Sequence, residues 1–143
     1  IDKDKVLINR LLSIMHKSEA DFTKIYRNLS RAIGGDKRPL LSQFNDSTAI
    51  DEWFEAWTNR LKLESSDDIK KRVVHMNRVN PLYIPRNHLV ENALNSAVND
   101  GDMSDFSQLL NILASPYKEI SGMERFADPA PSGSLPYKTY CGT

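Results

Sequence analysis

One cysteine, no net charge and no long apolar run are the main things this chain lacks, and each removes a class of protein. Nineteen Lys and Arg balance nineteen Asp and Glu. Nothing in that balance points to nucleic acid, a membrane surface or a strongly charged substrate. Cys141 alone cannot close an internal disulfide, which argues against a secreted, disulfide-built scaffold and for a reducing compartment. No apolar stretch approaches the roughly 20 residues of a membrane span, and Ile1-Asp2-Lys3-Asp4-Lys5 lacks the apolar core of a signal peptide. There is no initiator methionine, and a helical pattern begins almost at once, so we expect a piece of a longer polypeptide. A chain of 143 residues still suffices for one domain that buries roughly two-thirds of its unfolded surface.

What is present is helical periodicity. Apolar residues recur at three- and four-residue spacing in six segments, and no strand-like alternation persists, so the fold class expected is all-α, an irregular bundle. The first helix runs from about Asp4 to His16 on Val6, Leu7, Leu11, Leu12 and Met15. Ser18 is expected to cap the second, with Asp21 returning the bond, Phe22, Ile25, Tyr26 and Leu29 buried, and a stop at Gly34-Gly35. A polar link through Pro39 leads to a third helix near Ser47, whose Ile50, Trp53, Phe54, Trp57 and Leu61 form the densest part of the core. The fourth, Asp67 to Val79 with Ser66 as its cap, ends at Asn80-Pro81, because a residue before proline is pushed out of the helical region. The fifth starts near Asn87 with an inward stripe of Leu89, Val90, Ala93, Leu94, Ala97 and Val98, and the sixth, capped by Asp102, turns Phe106, Leu109, Leu110 and Leu113 inward. These two make an αα-hairpin over about 87–114, closing a body of 1–114. Residues 115–143 read as an extended, proline-rich tail whose rings, Tyr117, Tyr137 and Tyr140 among them, should dock on a folded body.

Few side chains point to chemistry. His16, His75 and His88 have no partner at zinc spacing. Gly34-Gly35 follows a helix where a phosphate loop follows a strand, so it reads as a helix stop. Lys70-Lys71-Arg72, next to Asp67 and Asp68, reads as a solvated face, and with no strongly basic recognition helix a DNA-binding helix-turn-helix is disfavoured. No serine occupies a nucleophile elbow. Neither a cofactor nor a metal site is expected in this chain. The connector Asn80-Pro81-Leu82-Tyr83-Ile84-Pro85-Arg86-Asn87 stands out, since Asn80, Pro81, Pro85 and Asn87 fix a particular path and Arg86 offers a five-donor fork to carbonyls or a carboxylate. Its expected role is structural. The terminal Cys141 is either incidental or meant for a sulfur elsewhere.

Met76 through Asn87, reading M-N-R-V-N-P-L-Y-I-P-R-N, then Gly101-Asp102 and the terminal Cys141-Gly142-Thr143, resemble the carboxyl-terminal region of the selenoprotein O family. Trp53, Trp57, Arg60 and Leu61 fit the same region in the same order. The resemblance implies a parent with a protein-kinase-like fold that binds ATP in an inverted orientation with magnesium and transfers AMP to hydroxyl side chains of proteins. The family's glycine-rich loop, ATP-binding lysine, catalytic aspartate and metal-binding Asn and Asp have no counterpart here, so this chain looks like the last third of the enzyme, supporting the kinase-like part and inactive alone. Cys141 maps onto the selenocysteine of some members, which implies a redox role through a disulfide to the kinase-like part. The implied partners are that part and the parent's protein substrates, with no nucleic acid and no membrane, in the bacterial cytoplasm or, for a eukaryotic source, the mitochondrion. The rival reading is a stand-alone helical interaction module without catalytic activity.

Overall fold

The computed structural model describes residues 2–64 and 68–131. Among them are seven α-helices, one 3-10 turn and no strand, which bears out the all-α class and adds one short helix to the six expected. None of these helices is long and apolar enough to cross a membrane. The chain divides after Asn80 into two compact units, so the expected 1–114 body is split inside the Asn80–Asn87 connector.

In the first unit, α1 (Asp2–Lys17) packs on α4 (Thr48–Leu61), and α2 (Phe22–Ile33) packs on α3 (Arg38–Leu41) and α5 (Ile69–Val79). Leu11, Met15, Ile25, Leu29, Leu40, Ile50, Trp53 and Phe54 make its core. The indoles of Trp53 and Trp57 stack with centroids 5.5 Å apart and planes 18° from parallel. Helix α3 replaces the expected polar link: Pro39 sits in its first turn, where a missing N–H costs nothing, and Leu40 is wholly buried.

Several caps differ from expectation. Ser18 does not open α2; its N–H donates to the Ile14 carbonyl and so belongs to the end of α1. Glu19 donates to His16 and Ala20 to Met15, a Schellman closure in which Glu19 takes the left-handed φ of 50° where glycine is usual. Asp21 is the cap of α2, accepting from the Lys24 N–H at 2.8 Å. Phe22 is 60% exposed rather than buried, and its ring lies against Tyr26 one turn on. Helix α5 is capped by Asp68, not Ser66; Ser66 and Asp67 lie outside the described residues. Gly34 caps α2 and Gly35, at φ 112°, reverses the chain as the glycine pair predicts.

The second unit is built on the antiparallel pair α6 (Asn87–Asn99) and α7 (Ser104–Leu113). Gly101 at φ 68° makes the turn, and the Asp102 carboxylate accepts from the Ser104 N–H at 2.8 Å. The inward stripe is narrower than expected. Ala93 is buried and Leu89 and Val90 pack on the core, but Leu94, Val98 and Leu110 are exposed, and Ile112 takes the place given to Leu110. The segment after α7 folds back on this unit: the 3-10 turn Glu124–Ala127 buries Phe126 and Ala127 against Tyr83, Leu109 and Ile112. Of the rings expected to dock, Tyr117 is nearly half exposed, while Tyr137 and Tyr140 lie outside the described residues.

Candidate functional site

The connector is the most tightly specified piece of backbone in the second unit. Two prolines leave few free N–H groups, and those of Leu82 and Tyr83 both donate to the Pro116 carbonyl, at 2.8 and 3.1 Å. Tyr83 is 2% exposed, and its hydroxyl accepts from the Ile120 N–H at 3.2 Å. Arg86, 9% exposed, donates from Nη2 to the Ala127 carbonyl at 3.0 Å, which is the carbonyl bridge its fork suggested. Its own carbonyl accepts from Leu89 and Val90 and so starts α6. Pro85 and Asn87 are exposed, and Pro81 is half buried. The arrangement is a clamp that holds residues 116–127 against the start of α6.

Asn80 serves the first unit. Its Nδ2 donates to the Met76 carbonyl at 2.9 Å, closing α5. Its own carbonyl, with that of Asn77, accepts from Nη1 of Arg27 at 3.3 and 3.0 Å. Arg27, Asn28 and Ser30 are all buried on α2, a helix enclosed on more sides than its apolar stripe covers. Asn28 donates to the Pro39 carbonyl at 2.8 Å, and the Ser30 hydroxyl lies 2.8 Å from the Arg27 carbonyl and 2.5 Å from Oδ1 of Asn77. Each polar group taken from water is thereby matched. This node is not visible in sequence, because the partners that other elements supply lie 11 to 53 residues away.

The carboxyls that depart from ordinary values are surface groups, all shifted down: Asp4 by the hydrogen bond from Arg60, Asp36 by that from Arg38, Asp46 and Asp102 by the backbone N–H groups of Thr48 and Ser104, and Glu124 by its own backbone N–H and that of Gly122. No group of three His, Cys, Asp or Glu among the described residues could hold a metal ion. His16 borders an open cleft of about 690 Å³ with Leu12, Met15, Glu19 and Phe22, and His75 lies on the outer face of α5. Cys141 lies outside the described residues.

The family model described as protein adenylyltransferase SelO matches residues 1–114, which carry all seven helices and the connector. The chain belongs to the SelO family. This SelO-family chain is 40% identical over 139 residues to a protein nucleotidyltransferase YdiU of Maridesulfovibrio salexigens, covering 96% of itself and 28% of that relative. It is 42% identical over 141 residues to the protein of the same name in Mycolicibacterium paratuberculosis, and 40% over 150 residues to that of Methylorubrum extorquens, covering 27% and 30% of their lengths. The chain therefore spans less than a third of the curated relatives it matches.

Proposed function

We propose that this chain is the carboxyl-terminal helical region of a protein adenylyltransferase, which moves AMP from ATP to serine, threonine or tyrosine hydroxyls, and that it supports a kinase-like part elsewhere in the polypeptide. The observation that carries the reading is the match to 96% of this chain and only 28% of a relative named as a nucleotidyltransferase. In this reading ATP and magnesium belong to the remaining polypeptide, where the family resemblance puts the kinase-like part. The role left to these helices is mechanical. The Arg86 clamp lies in the second compact unit and the buried Arg27 node in the first, and well-supported elements are what position a distant catalytic constellation. The relatives are bacterial proteins, which favours the cytoplasm as the site of action.

The test is to express the reading frame that contains this chain and supply it with ATP labelled at the α- or the γ-phosphate, and with UTP labelled at the α-phosphate. Attack of a protein hydroxyl on the α-phosphorus expels pyrophosphate, so label is expected on protein from α-labelled ATP only. Transfer from the γ-position would make it a kinase, and transfer from UTP in preference to ATP would replace the nucleotide assigned here.

Cys141 is proposed as a redox residue of that parent. Its thiol and a cysteine of the kinase-like part would give up two electrons and two protons to a disulfide oxidant such as oxidised glutathione, forming a disulfide that restrains activity. Non-reducing peptide mapping of the oxidised parent, beside an activity assay of Cys141→Ser, tests it. No crosslinked peptide and unaltered activity would leave the residue incidental.

A further inference from the structure

The basic triplet at the start of α5 does not act as one group in the folded chain. Arg72 turns to Glu64, with Nη1 2.7 Å from Oε2. Lys70 and Lys71 instead join His75 and Arg78, one and two turns on, around Val74, and these residues line one open groove of about 340 Å³. Among the described residues Asp68 approaches it, capping the helix through the Lys71 N–H and lying 3.4 Å from Lys71 Nζ. Lys71 stays 84% exposed despite that contact, a geometry in which an ion pair is weak. The groove thus has a cationic rim.

Its floor is different in kind. Val74 is half exposed at its centre, and lysine and arginine stems contribute methylene surface while their charged ends reach outward. Nucleic-acid phosphates would satisfy the rim and leave this floor uncovered, because backbone recognition uses charge without an apolar anchor. A peptide with one apolar side chain between carboxylates satisfies both. Such mixed surfaces, an apolar centre within a charged rim, match the anatomy of protein–protein contacts.

We propose that the α5 groove formed by Lys70, Lys71, Val74, His75 and Arg78 docks an acidic protein segment bearing an apolar residue that seats on Val74. This goes beyond the transferase reading and does not depend on it. The test uses this chain and a fluorescein-labelled peptide, Asp-Asp-Glu-Leu-Glu-Asp-Asp, followed by anisotropy in low-salt buffer. Saturable binding is expected, weakened by about tenfold or more in Lys70→Glu/Arg78→Glu, and weakened also in Val74→Asp or when serine replaces the leucine of the peptide. Lys3→Glu/Lys5→Glu, which removes the same net charge from α1, is expected to bind as the parent chain does. Circular dichroism of each variant establishes that α5 is intact. Equal binding by the parent chain and Lys70→Glu/Arg78→Glu would overturn the proposal. So would equal loss in the α1 control, or tighter binding of a short single-stranded RNA to the same face.

Discussion

Trp53 donates its indole N–H to the backbone carbonyl of Leu7 at 2.8 Å, tying the middle of α4 to the second turn of α1. At 3% exposure the ring is buried, and the bond satisfies the polar atom that makes tryptophan costly in a core. The same residue thus supplies apolar area, a stack on Trp57 and the register between two helices.

Trp53→Ala is expected to cost about 3–5 kcal/mol in denaturant melts, the range for removing a large buried aromatic. Trp53→Phe keeps most of the area and loses the bond to Leu7, so it should fall well short of that loss. A loss below about 1 kcal/mol for the alanine variant would mean α4 does not turn this face inward.

Arg86→Ala is expected to cost about 2–3 kcal/mol, because it strands the Ala127 carbonyl in a buried site. The damage should be confined to the second unit. Amide exchange would show loss of protection around Tyr83 and Glu124–Ala127 with α1 to α5 unchanged. Uniform loss through both units would contradict the division after Asn80.

Glu19→Gly should raise stability by about 0.5–1 kcal/mol. The left-handed φ of 50° strains a residue with a Cβ and costs glycine little, and the net gain is what remains after glycine's larger unfolded-state entropy. A thermal melt that moved downward would show that the glutamate side chain contributes a contact worth more than the strain.

Asp4 is held below the ordinary carboxylate range first by the hydrogen bond from Arg60, with Nε 2.7 Å from Oδ1. A depressed folded-state pKa gives stability that is complete above the unfolded value and is lost as pH falls through the folded one. Asp4→Asn should therefore flatten the acid limb of the stability profile below about pH 4 and converge with the parent chain at the lowest pH. High salt should shrink the difference, since the pair is at the surface.

If ATP and magnesium belong to the remaining polypeptide, as proposed, the isolated chain should bind neither at micromolar level. Calorimetric titration checks this, and a micromolar heat of ATP binding would place part of the nucleotide site within these helices.

Helix existence and most helix ends were legible in the amino-acid order, because their causes are local. Gly34-Gly35 can stop a helix by conformational freedom and Asn80-Pro81 by a steric clash with the preceding residue, whatever surrounds them. The family resemblance was legible for a related reason: Asn80, Pro81, Pro85, Arg86 and Asn87 mark a connector whose path their own chemistry prescribes. Caps were less legible, as Ser18 and Asp21 are both good cap residues and only the length of α1 decides between them. Burial was decided by tertiary structure alone. Periodicity puts Leu94 and Val98 on the same stripe as Ala93, yet only the neighbours present determine how wide a stripe is covered. By the same reasoning Arg27, Asn28 and Ser30 look like solvent residues until α3 and α5 enclose α2 and supply carbonyls for them, and partners 11 to 53 residues away leave no trace in local spacing.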